Sequence, residues 1–330
     1  MSDRGGVAGI ERHGQPAPVT RIVGWSMLGV LAAFLINNVL IVGFGFTGPE
    51  SILASKSTSI VPTLLYVIAI GISVYYVLRS PDTSLRWDAR CIHMANIYII
   101  RSFFFAALIV GVADIVVSFM RVEGFFALFL EIDNVRNFQR PSFVGMYIHF
   151  PLVILGFIVG AFTRTLGFSW LALLIIIAEL SIVITRFVFS YEQAFMGDLV
   201  RYWYSALFLF ASAYTLYDEG HVRVDVLYAG FRAKKKGLLN VFGALFLGIP
   251  TCWVILIVGF AGKQSIINSP VMNFEVTQTG SIGLYIKYQM AAFLGIFAAT
   301  MLIQFISFLF EAVADYRAEP GHRNTDIVAQ

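Results

Sequence analysis

Residues 168–189 read FSWLALLIIIAELSIVITRFVF, and this run of 22 residues contains one acid, Glu179, and one base, Arg186. A helix that crosses the hydrocarbon core of a bilayer needs about 20 mostly apolar residues, so the stretch predicts a membrane-spanning helix. Seven other segments have the same character. The predicted spans are residues 22–46, 59–78, 98–120, 143–162, 168–189, 199–217, 238–262 and 288–313. The sequence therefore predicts an all-α, polytopic integral membrane protein with about eight transmembrane helices. The strict alternation typical of membrane β-barrel strands is missing from these runs.

The composition agrees with a lipid environment and argues against several classes of function. Charged residues make up 13% of the chain, whereas a typical soluble domain has about 25%. The net charge of +3 is small and the basic residues are spread among loops, so no nucleic-acid partner is expected. Cys91 and Cys252 lie far apart, and no Cys/His spacing typical of a metal site is present. No catalytic triad, phosphate loop or zinc-protease motif is found, so we expect neither an enzyme nor a cofactor.

Basic residues are concentrated on one side of the predicted topology. The two tails and the loops that share their side hold 14 of the 23 Lys and Arg residues, including the run at 232–236. Because short loops rich in Lys and Arg stay in the cytoplasm, both termini are predicted to be cytoplasmic. Residues 1–21 and 319–330 form the predicted tails. Residues 1–20 have no apolar core, so they are not predicted to be a cleaved signal peptide.

Charged residues inside the predicted spans are candidates for contacts between helices or between subunits, because charge in lipid is costly and usually faces protein or water. Glu179 and Arg186 lie nearly on one helical face, but two turns separate them by about 10.5 Å of rise. This distance favours contacts with other helices over a direct pair. Asp114 lies deep in the third span, and the sequence does not identify its partner. Gly156 and Gly160 form a small-xxx-small pair that suits close helix packing.

The most informative polar stretch is residues 185–225, TRFVFSYEQAFMGDLVRYWYSALFLFASAYTLYDEGHVRVD. Asp198 lies at a predicted helix start, where the helix dipole favours a carboxylate. Arg201 follows three residues later, on the same face. Tyr202 and Trp203 suit the membrane–water interface. The candidate subunit or helix contacts are therefore Glu179, Arg186, Asp198, Arg201, Tyr202 and Trp203, and the predicted structural turn contains Gly220, His221 and Asp225.

Three short motifs in this stretch resemble the small membrane subunit of TRAP transporters, the tripartite ATP-independent periplasmic transporters. They are RFVF at 186–189, DLVRY at 198–202 and EGHVRVD at 219–225. Two positions depart from the family pattern. Gly197 stands where the family has the first acid of a pair, and Glu219 stands where it has the first glycine.

The resemblance covers residues 166–318, a predicted four-helix membrane domain, and leaves residues 22–165 as a four-helix N-terminal extension. It implies a scaffold subunit in the bacterial inner membrane. Its implied partners are a large permease subunit, a periplasmic substrate-binding protein and membrane lipid. It also implies that the assembly takes up organic anions, carboxylates or sulfonates, together with sodium.

Two alternatives remain open at the level of sequence. The first is a self-contained secondary carrier with Asp114, Glu179 and Arg186 in its pathway, although no internal repeat or pair of broken helices supports it. The second is the membrane anchor of a redox enzyme. A haem or quinone site would need histidines on facing spans, whereas His93, His149 and His221 are dispersed along the chain.

Overall fold

The computed structural model describes residues 11–49, 60–191, 194–218, 228, 230–277 and 282–322. Within them it is built of helices, and the only β feature is an isolated bridge between His13 and Thr83. The helices are α1 (Pro18–Phe44), α2 (Ile60–Arg79), α3 (Leu85–Val122), α4 (Phe126–Phe129), α5 (Ile132–Phe138), α6 (Pro141–Val144), α7 (Phe150–Phe162), α8 (Phe168–Phe189), α9 (Ala194–Tyr217), α10 (Ala233–Gly243), α11 (Ile249–Gly259), α12 (Asn268–Met272) and α13 (Lys287–Tyr316). The predicted all-α membrane fold is confirmed.

Two π-helical segments, Gly145–His149 and Ala244–Gly248, join α6 to α7 and α10 to α11. In both places a proline, Pro151 or Pro250, is the second residue of the helix that follows. Proline has no N–H to donate, and its ring clashes with the carbonyl four residues earlier. A wider π turn shifts that carbonyl out of register, so each of these two predicted spans continues through its proline.

Seven helical stretches among the described residues are long and apolar enough to cross a membrane. The helix α9, which the sequence predicts as the sixth span, is not one of them, because Asp198, Arg201 and several tyrosines lower its hydropathy. Its 24 residues nevertheless extend over about 36 Å, more than the ~30 Å hydrocarbon core. Its buried residues repeat every three or four positions and include Phe195, Leu199, Tyr202, Ala206, Phe210 and Ala213. One face of α9, which includes Tyr202 and Phe210, is thus covered by protein.

The helix α3 is longer than the predicted span 98–120, since it begins at Leu85 and contains 38 residues. The added N-terminal part reads LRWDARCIHMANI and looks like a loop in the sequence because it is polar. Its polar side chains are buried and bonded within the protein: Arg86, Asp88, His93 and Asn96 are each at most 3% exposed. Internal partners therefore allow a polar segment to continue a membrane helix.

The chain divides into two compact units. Unit 1 comprises Met1–Asn96, Thr215–Lys263 and Met301–Gln330, and unit 2 comprises Ile97–Tyr214 and Gln264–Thr300. Each unit combines residues from both sides of position 166, where the sequence predicts a domain boundary.

In unit 1, a buried ion pair fixes the start of α1. The Arg21 Nε lies 2.7 Å from the Asp88 Oδ2, and the two side chains are 0% and 1% exposed. The Trp25 Nε1 donates to the same carboxylate oxygen at 3.0 Å, and Arg21 also donates to the Ser80 carbonyl. Farther along, the Asn37 side chain donates to the Pro62 carbonyl at 2.8 Å. Polar contacts at both ends thus hold α1 against α2 and the start of α3.

Charged groups at the C-terminal end of α13 also belong to unit 1. Arg86 donates to Glu311 at 2.9 Å and to Asp315 at 2.8 Å, and Arg317 contacts the carbonyl of Pro16 at 3.1 Å. Beyond the helix, burial raises the pKa of the Glu319 carboxyl, and nearby arginines oppose this shift. These contacts bring the segment before α1 and the segment after α13 to the same end of unit 1.

Candidate functional site

A carboxylate and a histidine form a fully enclosed pair in unit 2. Asp114 of α3 and His149, the last residue of the first π segment, are both 0% exposed. The His149 Nε2 lies 3.1 Å from the Asp114 Oδ1. The backbone N–H of Tyr285 donates to the other carboxylate oxygen at 2.8 Å. Asp114, whose partner the sequence does not identify, therefore receives a donor on each oxygen.

The pair continues into a chain of hydrogen bonds. The other ring nitrogen of His149, Nδ1, lies 3.0 Å from the Tyr288 hydroxyl, so the imidazole bridges the Asp114 carboxyl group and the Tyr288 phenol. The Tyr288 oxygen accepts from the Gln289 amide at 3.0 Å. Gln289 in turn accepts from the buried Tyr202 hydroxyl at 2.5 Å. We call Asp114, His149, Tyr288, Gln289 and Tyr202 the buried relay. It links α3, the π segment, α9 and α13.

Arg121 lies near the C-terminal end of α3, beside this relay, and contacts the segment before α13. Its guanidinium lies 3.7 Å above the Tyr285 ring and donates to the Gly283 carbonyl at 2.6 Å. Burial raises the pKa of the Tyr285 phenol, although the Arg121 cation opposes the shift. The protonated hydroxyl donates to the Gln139 carbonyl at 3.1 Å. The segment before α13 is therefore attached to α3 and to the end of α5.

Asp198 also receives internal donors. Its side chain is 4% exposed, and its Oδ2 accepts from the Thr277 hydroxyl at 2.8 Å and from the Leu284 N–H at 3.4 Å. The predicted partner Arg201 lies 3.8 Å away and its side chain is 76% exposed. Asp198 thus anchors the loop before α13, and its ion pair with Arg201 is long and open to the surroundings.

Small residues let the helices of unit 2 approach closely. A Cβ on Gly156 would lie 2.5 Å from the Ala106 backbone nitrogen, and one on Gly160 would lie 2.6 Å from the Ser102 hydroxyl oxygen. The sequence pair Gly156/Gly160 therefore packs directly against α3. On the other side of α3, the buried Trp203 donates to the Ala107 carbonyl at 3.1 Å.

The structure divides the six candidate contact residues into two groups. Asp198, Tyr202 and Trp203 are buried and bond to other helices or loops of the same unit, whereas Glu179, Arg186 and Arg201 are exposed. Sequence analysis did not identify the pairing of Asp114 with His149. The available signal was a single acid in the predicted span 98–120 and a single histidine in the predicted span 143–162. The predicted turn residues Gly220, His221 and Asp225 lie outside the described residues.

No group of three or more His, Cys, Asp or Glu residues that could hold a metal ion occurs in the described part of the chain. His149 bonds to Asp114 and Tyr288, and His93 lies 2.9 Å from the Gln304 side chain. The imidazole rings of His93 and His149 thus both contact side chains of this protein.

Comparison with known families finds a match to part of the chain. Residues 172–315 match the family model of tripartite ATP-independent periplasmic transporters, DctQ component. Over these residues, somewhat less than half of the chain, the protein is similar to the DctQ component. Neither the comparison with curated proteins nor the comparison with solved structures finds a match.

The DctQ segment, residues 172–315, contains most of α8 and all of α9–α12, and it ends one residue before α13 does. The predicted resemblance to the TRAP small permease is confirmed. The family is a component of a transporter and not an enzyme. The match indicates the small-permease component of a TRAP transporter, a multi-span protein of the inner membrane, and further apolar helices precede the DctQ segment.

Proposed function

We propose that this protein is the scaffold subunit of a TRAP transporter that takes up an organic anion, a carboxylate or sulfonate, together with sodium ions. A separate large permease subunit would carry the anion across the membrane, and a periplasmic binding protein would deliver it. The match of residues 172–315 to the DctQ component carries this proposal.

The internal placement of charge supports a scaffold over a self-contained carrier. Arg21 pairs with Asp88, and Asp114 accepts from His149 and from the Tyr285 backbone. A carrier pathway needs charged groups that exchange partners with ions or substrate. These enclosed groups instead complete contacts between helices.

We further propose that residues 22–165 brace the DctQ segment. Asp114 and His149 precede position 166, while Tyr202, Tyr288 and Gln289 belong to the DctQ segment. The buried relay joins the two sets. The DctQ segment would then need the extension in order to fold. The two parts could therefore not be expressed separately.

Co-purification and reconstitution test the proposed function. The tagged full-length chain, expressed with the large permease subunit, should retain that subunit through gel filtration in detergent. In liposomes, the chain alone should give no sodium-dependent uptake of an organic anion, whereas the complex with its binding protein should give uptake. Robust uptake by the chain alone would favour the self-contained carrier, and a haem absorbance band in the purified chain would favour the redox anchor.

Both termini are proposed to be cytoplasmic, with eight spans in total because α9 also crosses the membrane. The contact of Arg317 with Pro16 supports a shared side for the two ends, and the basic run at 232–236 supports the cytoplasmic side. In a background without Cys91 and Cys252, a cysteine replacing the exposed Lys235 should resist an impermeant thiol reagent added to spheroplasts. A cysteine replacing the exposed Asn273 should react. The reverse pattern would invert the topology.

Arg201 is a proposed contact with the large subunit, because its guanidinium is exposed beside the anchored Asp198. Arg201→Ala should lower recovery of the large subunit more than Arg140→Ala, which removes another exposed arginine of unit 2. Equal recovery with both variants would make Arg201 an ordinary surface charge.

A further inference from the structure

An acidic side chain lies exposed at the middle of the apolar helix α8. Glu179 is eleven residues from Phe168 and ten from Phe189, so its Cα is about 15 Å along the axis from either end of the helix. Its side chain is exposed. No hydrogen bond or ion pair joins its carboxylate to any residue that the structure describes.

The surroundings of Glu179 on α8 are apolar and open. In the most apolar part of α8, 17% of the residues are buried, compared with 56% in α13. Ile176 and Val183, one turn before and one turn after Glu179, are 63% and 48% exposed. Arg186 lies on the same face, about 20° around the helix from Glu179, and is also exposed. We call Ile176, Glu179, Val183 and Arg186 the α8 stripe.

Contact with lipid alone would be unfavourable for the α8 stripe. A carboxylate at mid-depth in hydrocarbon is strongly unfavourable, and in membrane proteins such groups face protein or water. Long Lys and Arg side chains near helix ends can reach the headgroups, but a glutamate side chain cannot cover about 15 Å. The position of Glu179 therefore calls for a protein group at the same depth.

A second copy of this chain is also a poor occupant. Two copies inserted in the same orientation are related by an axis along the membrane normal, so a symmetric contact places like residues at the same depth. Glu179 would then face Glu179. Arg186 of either copy would be offset by about 10.5 Å in depth. A complementary partner must come from a different protein.

We propose that the α8 stripe is the docking surface for a membrane helix of the large permease subunit. That helix presents a Lys, an Arg or a neutral hydrogen-bond donor to Glu179 at mid-membrane depth. The inference rests on the proposed function, which supplies such a subunit. It adds the surface, the depth and the chemistry of the contact.

Site-specific photo-crosslinking in the full chain, co-expressed with the large subunit, tests the surface. Val183 and Ile177 are matched controls, since each is 48% exposed, but Ile177 lies about 160° around the helix from Glu179. A photoreactive phenylalanine at position 183 should form an adduct with the large subunit, and one at position 177 should not. Equal adducts, adducts from 177 alone, or an adduct between two copies from 183 would overturn the inference.

Charge removal tests the chemistry. Glu179→Leu should lower recovery of the large subunit about three- to tenfold, the range that corresponds to polar contacts between membrane helices. Glu179→Gln should have a smaller effect because the amide still hydrogen-bonds. Asp133→Leu removes an acid that is 93% exposed in α5 and should leave recovery unchanged. Recovery of Glu179→Leu equal to or above that of the wild type would assign the stripe to lipid.

The two experiments separate failure of the inference from failure of the proposed function. If the wild-type chain retains the large subunit but position 183 gives no adduct, the docking surface is elsewhere and the function stands. If the wild-type chain does not retain the large subunit, the proposed function fails and the docking inference fails with it.

Discussion

Asp114 and Glu179 are both carboxylates in apolar helices of unit 2, and they differ in where their partners lie. Asp114 is 0% exposed and accepts from His149 and from the Tyr285 backbone. Glu179 is exposed, and no described residue bonds to its carboxylate. The first acid is satisfied by the fold itself, whereas the second needs a group that the fold does not supply.

A charge in a membrane helix can therefore have one of two functions. It can stabilise the fold, as Asp114 does, or it can take part in assembly with another protein, as proposed for Glu179. Removing one member of an enclosed pair leaves the other group buried and uncompensated. Removing an exposed acid leaves nothing unpaired within the chain. Removal of Asp114 should therefore mainly lower the stability of the isolated protein, whereas removal of Glu179 should mainly lower recovery of its partner.

Asp114→Ala should produce the largest loss of stability. It leaves the His149 ring nitrogen and the Tyr285 N–H without acceptors, and breaking a buried pair in this way costs about 3–5 kcal/mol. Thermal unfolding of the detergent-solubilised chain should show a much lower midpoint or no folded monomer. The double variant Asp114→Ala/His149→Ala should lose less than the sum of the single losses, because the two residues share one network. Additive losses would show that the relay is not an energetic unit.

Gly156→Ala tests whether packing contributes as much as polar contact. The new Cβ would lie 2.5 Å from the Ala106 backbone nitrogen, so α3 and α7 must move apart, at a cost of about 1–3 kcal/mol. Gly71→Ala is the matched control on α2, where a Cβ meets nothing within 4 Å. Its melting midpoint should equal or slightly exceed that of the wild type. An unchanged midpoint for Gly156→Ala would contradict the close approach of the two helices.

Asp198→Ala and Arg201→Ala sharpen the comparison within one ion pair. Asp198→Ala leaves the Thr277 hydroxyl and the Leu284 N–H without their acceptor, which costs about 1–3 kcal/mol. Arg201→Ala removes an exposed cation, and such surface pairs contribute about 0–1 kcal/mol. Thermal unfolding of both variants should show a clear loss for the first and almost none for the second. Similar losses would mean that the 3.8 Å ion pair is the main interaction of Asp198.

Glu179→Leu should have the smallest effect on the isolated chain. Surface substitutions away from special features usually change stability by less than about 0.5 kcal/mol. The melting midpoint of the purified variant should therefore match that of the wild type, in contrast to Asp114→Ala. A large loss would show that Glu179 has a partner inside the protein and would remove the basis for the docking surface.

Much of the fold could be predicted from single segments of sequence. Runs such as 168–189 predict helices because a chain in lipid must satisfy its backbone groups internally, and each of the eight predicted spans overlaps a helix over most of its length. The polar segment at 85–97 could not be predicted as part of α3, since its helical state depends on partners from distant parts of the chain. Arg86, for example, bonds to Glu311 and Asp315.

The candidate site was predictable only in part. The motifs around 186–189 and 198–202 indicate the TRAP small permease, and the family match confirms this. Whether each of these residues is buried or exposed was not predictable, because exposure depends on which other helices pack against the residue. Tyr202 and Trp203 have the composition of an interfacial belt, yet they are buried by α3 and α13.

The sequence alone indicated the lipid environment, the helical class and the resemblance to the TRAP small permease, because hydrophobic length and short motifs are local properties of the chain. Only the tertiary structure decided which intramembrane charges are satisfied within the protein. Asp114 and His149 are 35 residues apart, and Tyr288 lies 139 residues beyond His149, so no local pattern could pair them. The same packing that encloses Asp114 leaves Glu179 on an open face, and this contrast distinguishes the groups that hold the chain together from the group available to a partner.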